Sequence, residues 1–337
     1  MKILILGGTG VISREIVKQG LEQGHEIMVF NRGNHREEMP EGIEIILGDR
    51  TRAEEFAEKM KTVDADVVID MICFNEQAAR QTVEVFGNRV SQIIVTSSIA
   101  AYDRPYQSYP IREAKETLTE KSDFAYGFNK AEAERYLQGM MGKQKAAITI
   151  IRPSLTFGPG AANFGILRQN RNVARRIREG KPVVMIGEGV IPWSFTFVQD
   201  LARGFVLSCG NEKTYNDYFH VTNTEIVMWE DLYRAVGKAV GKEPKMVYIP
   251  TVLLREMLPS VCEHLNFEKV HFSVFCMDKF KAAAPEYEPK TGLEAGIKEL
   301  LEWWEKIDFP YDEEKDYLED EICRCYEEFR EHLLKLV

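Results

Sequence analysis

Residues 2–13 read KILILGGTGVIS. Ile3, Leu4, Ile5 and Leu6 form an unbroken apolar run, as expected of a central strand buried on both faces of a parallel sheet. Gly7, Gly8 and Gly10 follow at once, and Val11, Ile12, Ile16, Val17, Gly20 and Leu21 are then spaced as the apolar side of a helix. Strand, glycine turn and helix together place backbone N–H groups and a helix N-terminus at one point. A dinucleotide pyrophosphate binds such a point, through the amides of Gly7, Gly10, Val11 and Ile12 here. The third small position of the fingerprint is Ser13, which still permits close packing. The competing reading is a tight strand-to-helix turn of some other α/β protein.

Working outward, HEIMVFNRG (25–33) is a second strand ending at Asn31 and Arg32, beside the expected adenosine ribose. An acid there would hold the 2′-hydroxyl of NAD, and none is present. Arg32 suits the 2′-phosphate of NADP, so NADP is the expected cofactor and NAD the alternative; otherwise Arg32 is an ordinary exposed arginine. A third strand, IEIIL (43–47), leads to Gly48, Asp49 and Arg50 at the same edge, where Asp49 and Arg50 are expected among the cofactor ligands. Asp49 is placed either to accept from the adenine amino group or to cap the helix beginning near Thr51. Strands DVVIDMICF (66–74), SQIIVTSS (91–98) and KAAITIIRP (145–153) alternate with helices over 75–88 and from 125. This alternation predicts an α/β fold, a doubly wound parallel Rossmann sheet with a smaller C-terminal α/β lobe. The sheet domain is expected over 1–155, with 197–224 returning to it, and the substrate lobe over 156–196 and 225–337.

Composition sets the outer bounds. With 337 residues and a net charge of −10, the chain supports a large core and opposes phosphate-backbone binding, so nucleic acid is not an expected partner. The N-terminal apolar run is too short for a signal peptide, and no stretch reaches the ~20 residues of a membrane span, so a cytoplasmic protein is expected. The cysteines, Cys73, Cys209, Cys262, Cys276, Cys323 and Cys325, lack paired spacing for a disulfide framework or a metal site. The acidic run DEEKDYLEDE reads as a solvated surface. Arg168, Arg171, Arg175, Arg176 and Arg178 crowd one predicted helix, as a solvated face or as a contact for an anionic substrate or RNA.

Thr96, Ser97 and Ser98 fall at the carboxyl end of the fifth strand, where ligands bind in such sheets. In DFAYGFNKAEAERYLQGM, Tyr126 and Lys130 stand four apart at the start of a helix and so share one face. GGTGVIS, SSIAAY, YGFNK, IRPSLTFGPG and FTFVQDLARG, in this order, resemble the extended short-chain dehydrogenase/reductase superfamily of the sugar-nucleotide epimerase/dehydratase type. The resemblance covers most of residues 1–250. It implies that Ser98, Tyr126 and Lys130 are the catalytic triad, with Ser97 the less favoured substitute for Ser98. A tyrosine ordinarily ionises near pH ~10 and must come down by about three pH units, about 4 kcal/mol, to act as a base near neutrality. The Lys130 ammonium and an oxidised nicotinamide supply that, and Tyr126 then exchanges a proton with a substrate hydroxyl or carbonyl.

The resemblance also implies a homodimer through the helices over 75–88 and 125–140, and departures from it narrow the chemistry. Thr96, Ser97 and Ser98 replace the Thr-Asp-Glu of dehydratases, so loss of water is not expected. Trp193 and Ser194 occupy the place of an arginine-aspartate pair that clamps a nucleotide diphosphate. An apolar plate for a sugar or other flat surface is expected there instead. DMICF replaces the usual His-x-Ala-Ala. The expected function is an NAD(P)-dependent oxidoreductase or epimerase acting on a small oxygenated molecule such as a sugar. GGTGVIS, NRG and GDR also resemble a branch holding chloroplast RNA-binding proteins, which leaves an RNA-binding protein with a vestigial site as the alternative.

Overall fold

The computed structural model describes residues 1–34, 39–40, 42–161, 165–167 and 170–336. Strands β1 (Lys2–Leu6), β2 (Glu26–Asn31), β3 (Glu44–Leu47), β4 (Val67–Asp70), β5 (Gln92–Thr96), β6 (Ala147–Pro153) and β7 (Asp217–Val221) form a parallel sheet in the order β7-β6-β5-β4-β1-β2-β3. β1 pairs with β2 on one side and β4 on the other, Leu6 standing opposite Phe30 and Asp70. The winding reverses between β1 and β4, which opens a crevice at their carboxyl ends. The apolar run of β1 feeds two cores in alternation. Ile3 and Ile5 enter one cluster with Val29 and Ile69, while Leu4 and Leu6 enter the other with Phe30 and Val68. A buried parallel strand requires this two-sided apolar character.

The helices that accompany this sheet are α1 (Val11–Glu22), α2 (Ala53–Lys61), α3 (Glu76–Phe86), α4 (Ala125–Met140), α5 (Val198–Ser208) and α6 (Asp278–Ala283). α1 buries Ser13, Ile16, Val17 and Gly20 and packs on α5, where Gln19 donates to the Gln199 carbonyl at 2.9 Å. The helices expected at a twofold interface, α3 and α4, pack on each other.

The chain divides into two compact units, one of residues 1–154, 198–224 and 275–290, the other of 155–197, 225–274 and 291–337. Residues 275–290, assigned above to the substrate lobe, thus belong with the sheet. Met277, Phe280, Ala284 and Tyr287 share the apolar cluster of β1 and β7, and Gly204 leaves the room that Val221 of β7 fills, since an added Cβ would lie 2.4 Å from its Cγ1.

In the second unit, three expectations are corrected. Among the described residues the arginine-rich stretch is helical over Val173–Glu179, and Arg175, Arg176 and Arg178 serve the protein itself, while Arg171 is exposed. Arg176 is fully buried and donates to Asp316 Oδ1 at 2.6 Å and Asp320 Oδ1 at 2.7 Å. Arg175 bonds Glu179 at 2.9 Å, Arg178 lies 3.9 Å over the Phe309 ring, and Arg168 lies outside the described residues. The acidic run is accordingly not just a solvated surface. It begins the helix Glu313–Leu334, which buries Asp316 and Glu319 against Arg176, because a buried guanidinium demands carboxylates. Trp193, finally, is no exposed plate: it is buried, donates Nε1–H to the His271 carbonyl at 3.0 Å and meets the Trp229 ring edge-on at 5.4 Å. Cys323 is buried and Cys325 exposed, as their spacing on a helix requires.

Lys269 of this unit is buried over the Trp229 ring and donates to the Gly165 carbonyl. Burial brings its ammonium down from 10.5 to about 8. Between these values the unfolded chain holds a proton that the folded chain has lost, so this group makes stability rise with pH. Urea titrations should show the unfolding free energy of wild type gaining about 3 kcal/mol on that of Lys269→Met between pH 8 and pH 10.5. Buried thiols remote from Lys269, such as Cys209, act in the opposite sense and cancel in the difference.

Candidate active site

The turn after β1 is dictated by space. Gly7 and Gly8 have φ of +115° and +78°, and a Cβ on Gly8 would lie 2.1 Å from Val29 Cγ1. Gly10 has an ordinary φ of −74° and stands at the N-cap of α1, where no side chain caps the first turn and no acid occupies it. The first-turn amides of Val11 and Ile12 thus retain their capacity to meet an anion. At the carboxyl ends of β1 to β4 lies a cavity of about 690 Å³ whose walls include Gly7, Asn31, Arg32, Asp49, Ile72 and Phe74.

Asn31 and Arg32 stand where the second strand places them. Asn31 accepts from Gly33 N–H at 2.7 Å, while its buried Nδ2 has no hydrogen-bond partner among the described residues. An orphaned buried donor costs about 1–3 kcal/mol, and a polar ligand in the cavity relieves it. Arg32 is exposed on the rim. Asp49 Oδ1 accepts from Thr51 N–H at 2.9 Å and Thr51 Oγ1 at 2.8 Å. These bonds pull its carboxyl below the usual range and make it the turn-former ahead of α2. The uncapped helix, the glycine cradle and the orphaned amide fit a dinucleotide.

Of the catalytic candidates, Lys130 reaches a wall residue of this cavity, while Ser98 and Tyr126 stand on a 3-10 turn and a helix that pack on each other. Ser98 N-caps a 3-10 turn, Ile99–Ala101, by accepting from Ala100 N–H at 3.1 Å. α4 begins against that turn: a Cβ on Gly127 would lie 2.5 Å from the Ala100 carbonyl oxygen. Tyr126 precedes this contact and is 40% exposed, open to a substrate. One helical turn on, Lys130 is buried, and its Nζ donates to the Thr96 carbonyl at 2.7 Å and the Cys73 carbonyl at 2.8 Å. It also lies 4.9 Å over the ring of Phe74, a wall of the cavity. Burial lowers the Lys130 ammonium, and burial pushes the neighbouring Cys73 thiol up to about 12. Two of the three ammonium protons are engaged, which leaves one for a ligand or for Tyr126. Among the described residues no cluster of metal-ligating side chains exists, and no helix is long and apolar enough to cross a membrane.

Residues 3–219 match the family model of the NAD dependent epimerase/dehydratase family. The chain belongs to this family. Its chemistry is therefore that of an NAD-dependent oxidoreductase or epimerase. Among curated proteins it is 23% identical over 305 residues to the 2′-dehydrokanamycin reductase of Streptomyces kanamyceticus, covering 90% of this chain and 84% of that protein. It is also 25% identical over 261 residues to a chloroplast stem-loop binding protein of Arabidopsis thaliana, covering 73% of this chain and 65% of that protein. In fold it is similar to the UDP-glucose 4-epimerase of Thermotoga maritima, with a TM-score of 0.72, 18% identity and coverage of 91% and 99%. The structure of Pal from Bacillus thuringiensis gives a TM-score of 0.74 at 19% identity, covering 91% and 100%.

Within the family pattern, the DMICF ending of β4 has a partner that the sequence reading missed. Asp70 is fully buried, and Arg50 Nη1 donates to both its oxygens at 2.9 Å. Arg50 also donates to Thr82 Oγ1 at 2.9 Å, the Ala78 carbonyl at 2.8 Å and Gln81 Oε1 at 3.2 Å. Its guanidinium is thereby committed to the protein, and Arg50, expected among the cofactor ligands, stands as cavity wall. Asp70 Oδ1 in turn accepts from Ile72 N–H at 3.0 Å and so shapes the loop that offers Cys73 to Lys130. The signal was present in the sequence as a lone acid ending an apolar strand. Removing one member of a buried pair strands the other charge. Arg50→Met should lower the unfolding free energy by about 3–5 kcal/mol, and Arg50→Met with Asp70→Leu should recover most of it, as read by urea denaturation.

Proposed function

We propose that this chain is an NADP-dependent reductase or epimerase that works on a hydroxyl-bearing or carbonyl carbon of a small oxygenated molecule, with Tyr126 as its acid and base. One observation carries the reading. Lys130 is clamped between the Thr96 and Cys73 carbonyls, touches the cavity wall at Phe74, and stands one turn from an exposed Tyr126. The acid–base pair and the dinucleotide cavity thus share a boundary.

Gly7, Gly10 and the amides of Val11 and Ile12 would hold the dinucleotide diphosphate, and Asn31, Asp49 and Arg32 the adenosine end. The nicotinamide, when bound, supplies or accepts the hydride. Lys130 places a positive charge near the Tyr126 hydroxyl and favours its ionised form. Ser98 hydrogen-bonds the substrate oxygen. Tyr126 delivers a proton to that oxygen in reduction or removes it in oxidation, and α4 keeps its hydroxyl on the face that Lys130 occupies.

The substrate is a molecule without a nucleotide diphosphate handle. The clamping arginine is replaced by a buried Trp193, and Arg175, Arg176 and Arg178 are occupied within the protein. The relative matched over nine-tenths of this chain is named for reducing a dehydro compound, which supports a reductase over an epimerase. RNA binding is disfavoured because Arg175, Arg176 and Arg178, three of its five candidate arginines, are so engaged, and a net charge of −10 opposes it.

Calorimetry should find that Arg32→Ala weakens NADP by about 1–3 kcal/mol and leaves NAD nearly unchanged; equal losses for both would end the role of Arg32. A turnover screen of free sugars, polyols, ketones and nucleotide sugars with either cofactor should give activity on a non-nucleotide compound. Tyr126→Phe should abolish it. Efficient turnover of a nucleotide sugar contradicts the substrate assignment, and activity retained by Tyr126→Phe contradicts the mechanism.

A further inference from the structure

The hydride chemistry leaves unused a chain of buried polar side chains behind the site. Ser97, Glu134, Arg152, Tyr102, His220 and Glu113 are each at most 5% exposed. Ser97 Oγ donates to Glu134 Oε1. Arg152, on β6, donates through Nε to the two Glu134 oxygens at 3.0 and 2.9 Å, and through Nη1 to the Tyr102 hydroxyl at 2.7 Å. The Tyr102 hydroxyl accepts there, so its one proton points to His220 Nε2 at 2.6 Å. His220 must then be neutral, as burial and the Arg152 cation both dictate. Its backbone N–H is held by Glu113 at 2.8 Å.

A network of this kind is a poor stability device. An apolar pair of similar volume is commonly as stable as a buried ion pair or more so, since desolvation cancels the Coulomb gain. What it provides is direction, and three of its members, Ser97, Glu134 and Tyr102, adjoin a catalytic candidate. Ser97 precedes Ser98 in the chain. Glu134 lies one turn past Lys130 on α4. Tyr102 closes the 3-10 turn that Ser98 opens, and Arg104 pins the same turn by donating to the Ile99 carbonyl at 2.8 Å. The middle of α4 and the 3-10 turn are therefore fastened to Arg152, and the end of β5 is fastened to the same Glu134.

Resting on the proposed acid–base set, we infer that Glu134 and Arg152, linked to Ser97 and Tyr102, are positioning residues that hold Ser98, Tyr126 and Lys130 in a single frame. None of the four is needed to touch substrate. Tyr126 and Lys130 share α4, so removing these four loosens the seat of the Lys130 ammonium at the Thr96 carbonyl beside Ser97, and Coulomb stabilisation of a tyrosinate falls as that charge moves away.

The test uses the full chain loaded with NADP+ and follows tyrosinate by ultraviolet absorbance against pH, with Tyr126→Phe as the blank. Wild type should show one tyrosine, absent from the blank, that ionises well below the ordinary range. Tyr102 is silent, because burial pushes its hydroxyl far up. In Ser97→Ala/Tyr102→Phe, which conserves charge and nearly all volume, this ionisation should move up by about one pH unit or more, with NADP+ affinity unchanged within about twofold. Ser97→Ala alone is judged on the same two outcomes should the double variant not hold NADP+. An unshifted ionisation overturns the positioning role. A wild type without the low-ionising tyrosine overturns instead the acid–base reading on which it rests.

Discussion

The turn at Gly8 is the constraint from which the rest of the site follows. β1 is buried between β2 and β4, so the chain leaving it has to turn within a few residues over side chains of the neighbouring strand. Val29 fills the space where any side chain at residue 8 would go, at a hypothetical separation of 2.1 Å. A residue without Cβ, at φ +78°, is the solution, and it aims the uncapped end of α1 at the crevice between β1 and β4. A cavity at that point is thus a product of sheet topology, while its chemistry comes from what the strand ends carry.

Those strand ends are held by buried charge. Arg50 with Asp70 ties the loops after β3 and β4, and Arg152 with Glu134 ties β6 to α4. Lys130 fastens the end of β5 to the loop after β4 through two carbonyls. Apolar packing fills space but tolerates small slips, whereas a guanidinium with every donor committed defines an orientation. Hydride transfer at a carbon coupled to proton transfer at the oxygen it bears needs atoms placed to within about an ångström, and such pairs suit that demand.

Much of this was legible in the sequence because it follows from local patterns. The continuous apolar run of β1, the glycines behind it, and Tyr126 four before Lys130 need no knowledge of distant residues. What was illegible depends on partners far along the chain. Arg176 looked solvent-facing until Asp316 and Asp320, which follow it by 140 residues or more, were brought to it. Trp193 read as a plate for a ligand because an aromatic side chain is equally suited to a core, and only the neighbouring Trp229 decides between them. Residues 275–290 carry no sheet-like pattern, yet Phe280 and Tyr287 complete the core around β1. Arg50 was rightly placed at the edge of the crevice, but its role was set by Asp70, one strand away.

The central claim is that one cavity holds the dinucleotide so that its nicotinamide meets Tyr126. A crystal structure of the chain with NADP+ tests this most directly. The account predicts the diphosphate on the amides at the start of α1, the adenosine in the cavity beside Asn31 and Asp49, and the nicotinamide ring between Ser98 and Tyr126 with a ribose hydroxyl on Lys130. A dinucleotide bound elsewhere, or one whose nicotinamide points away from Tyr126, would contradict it.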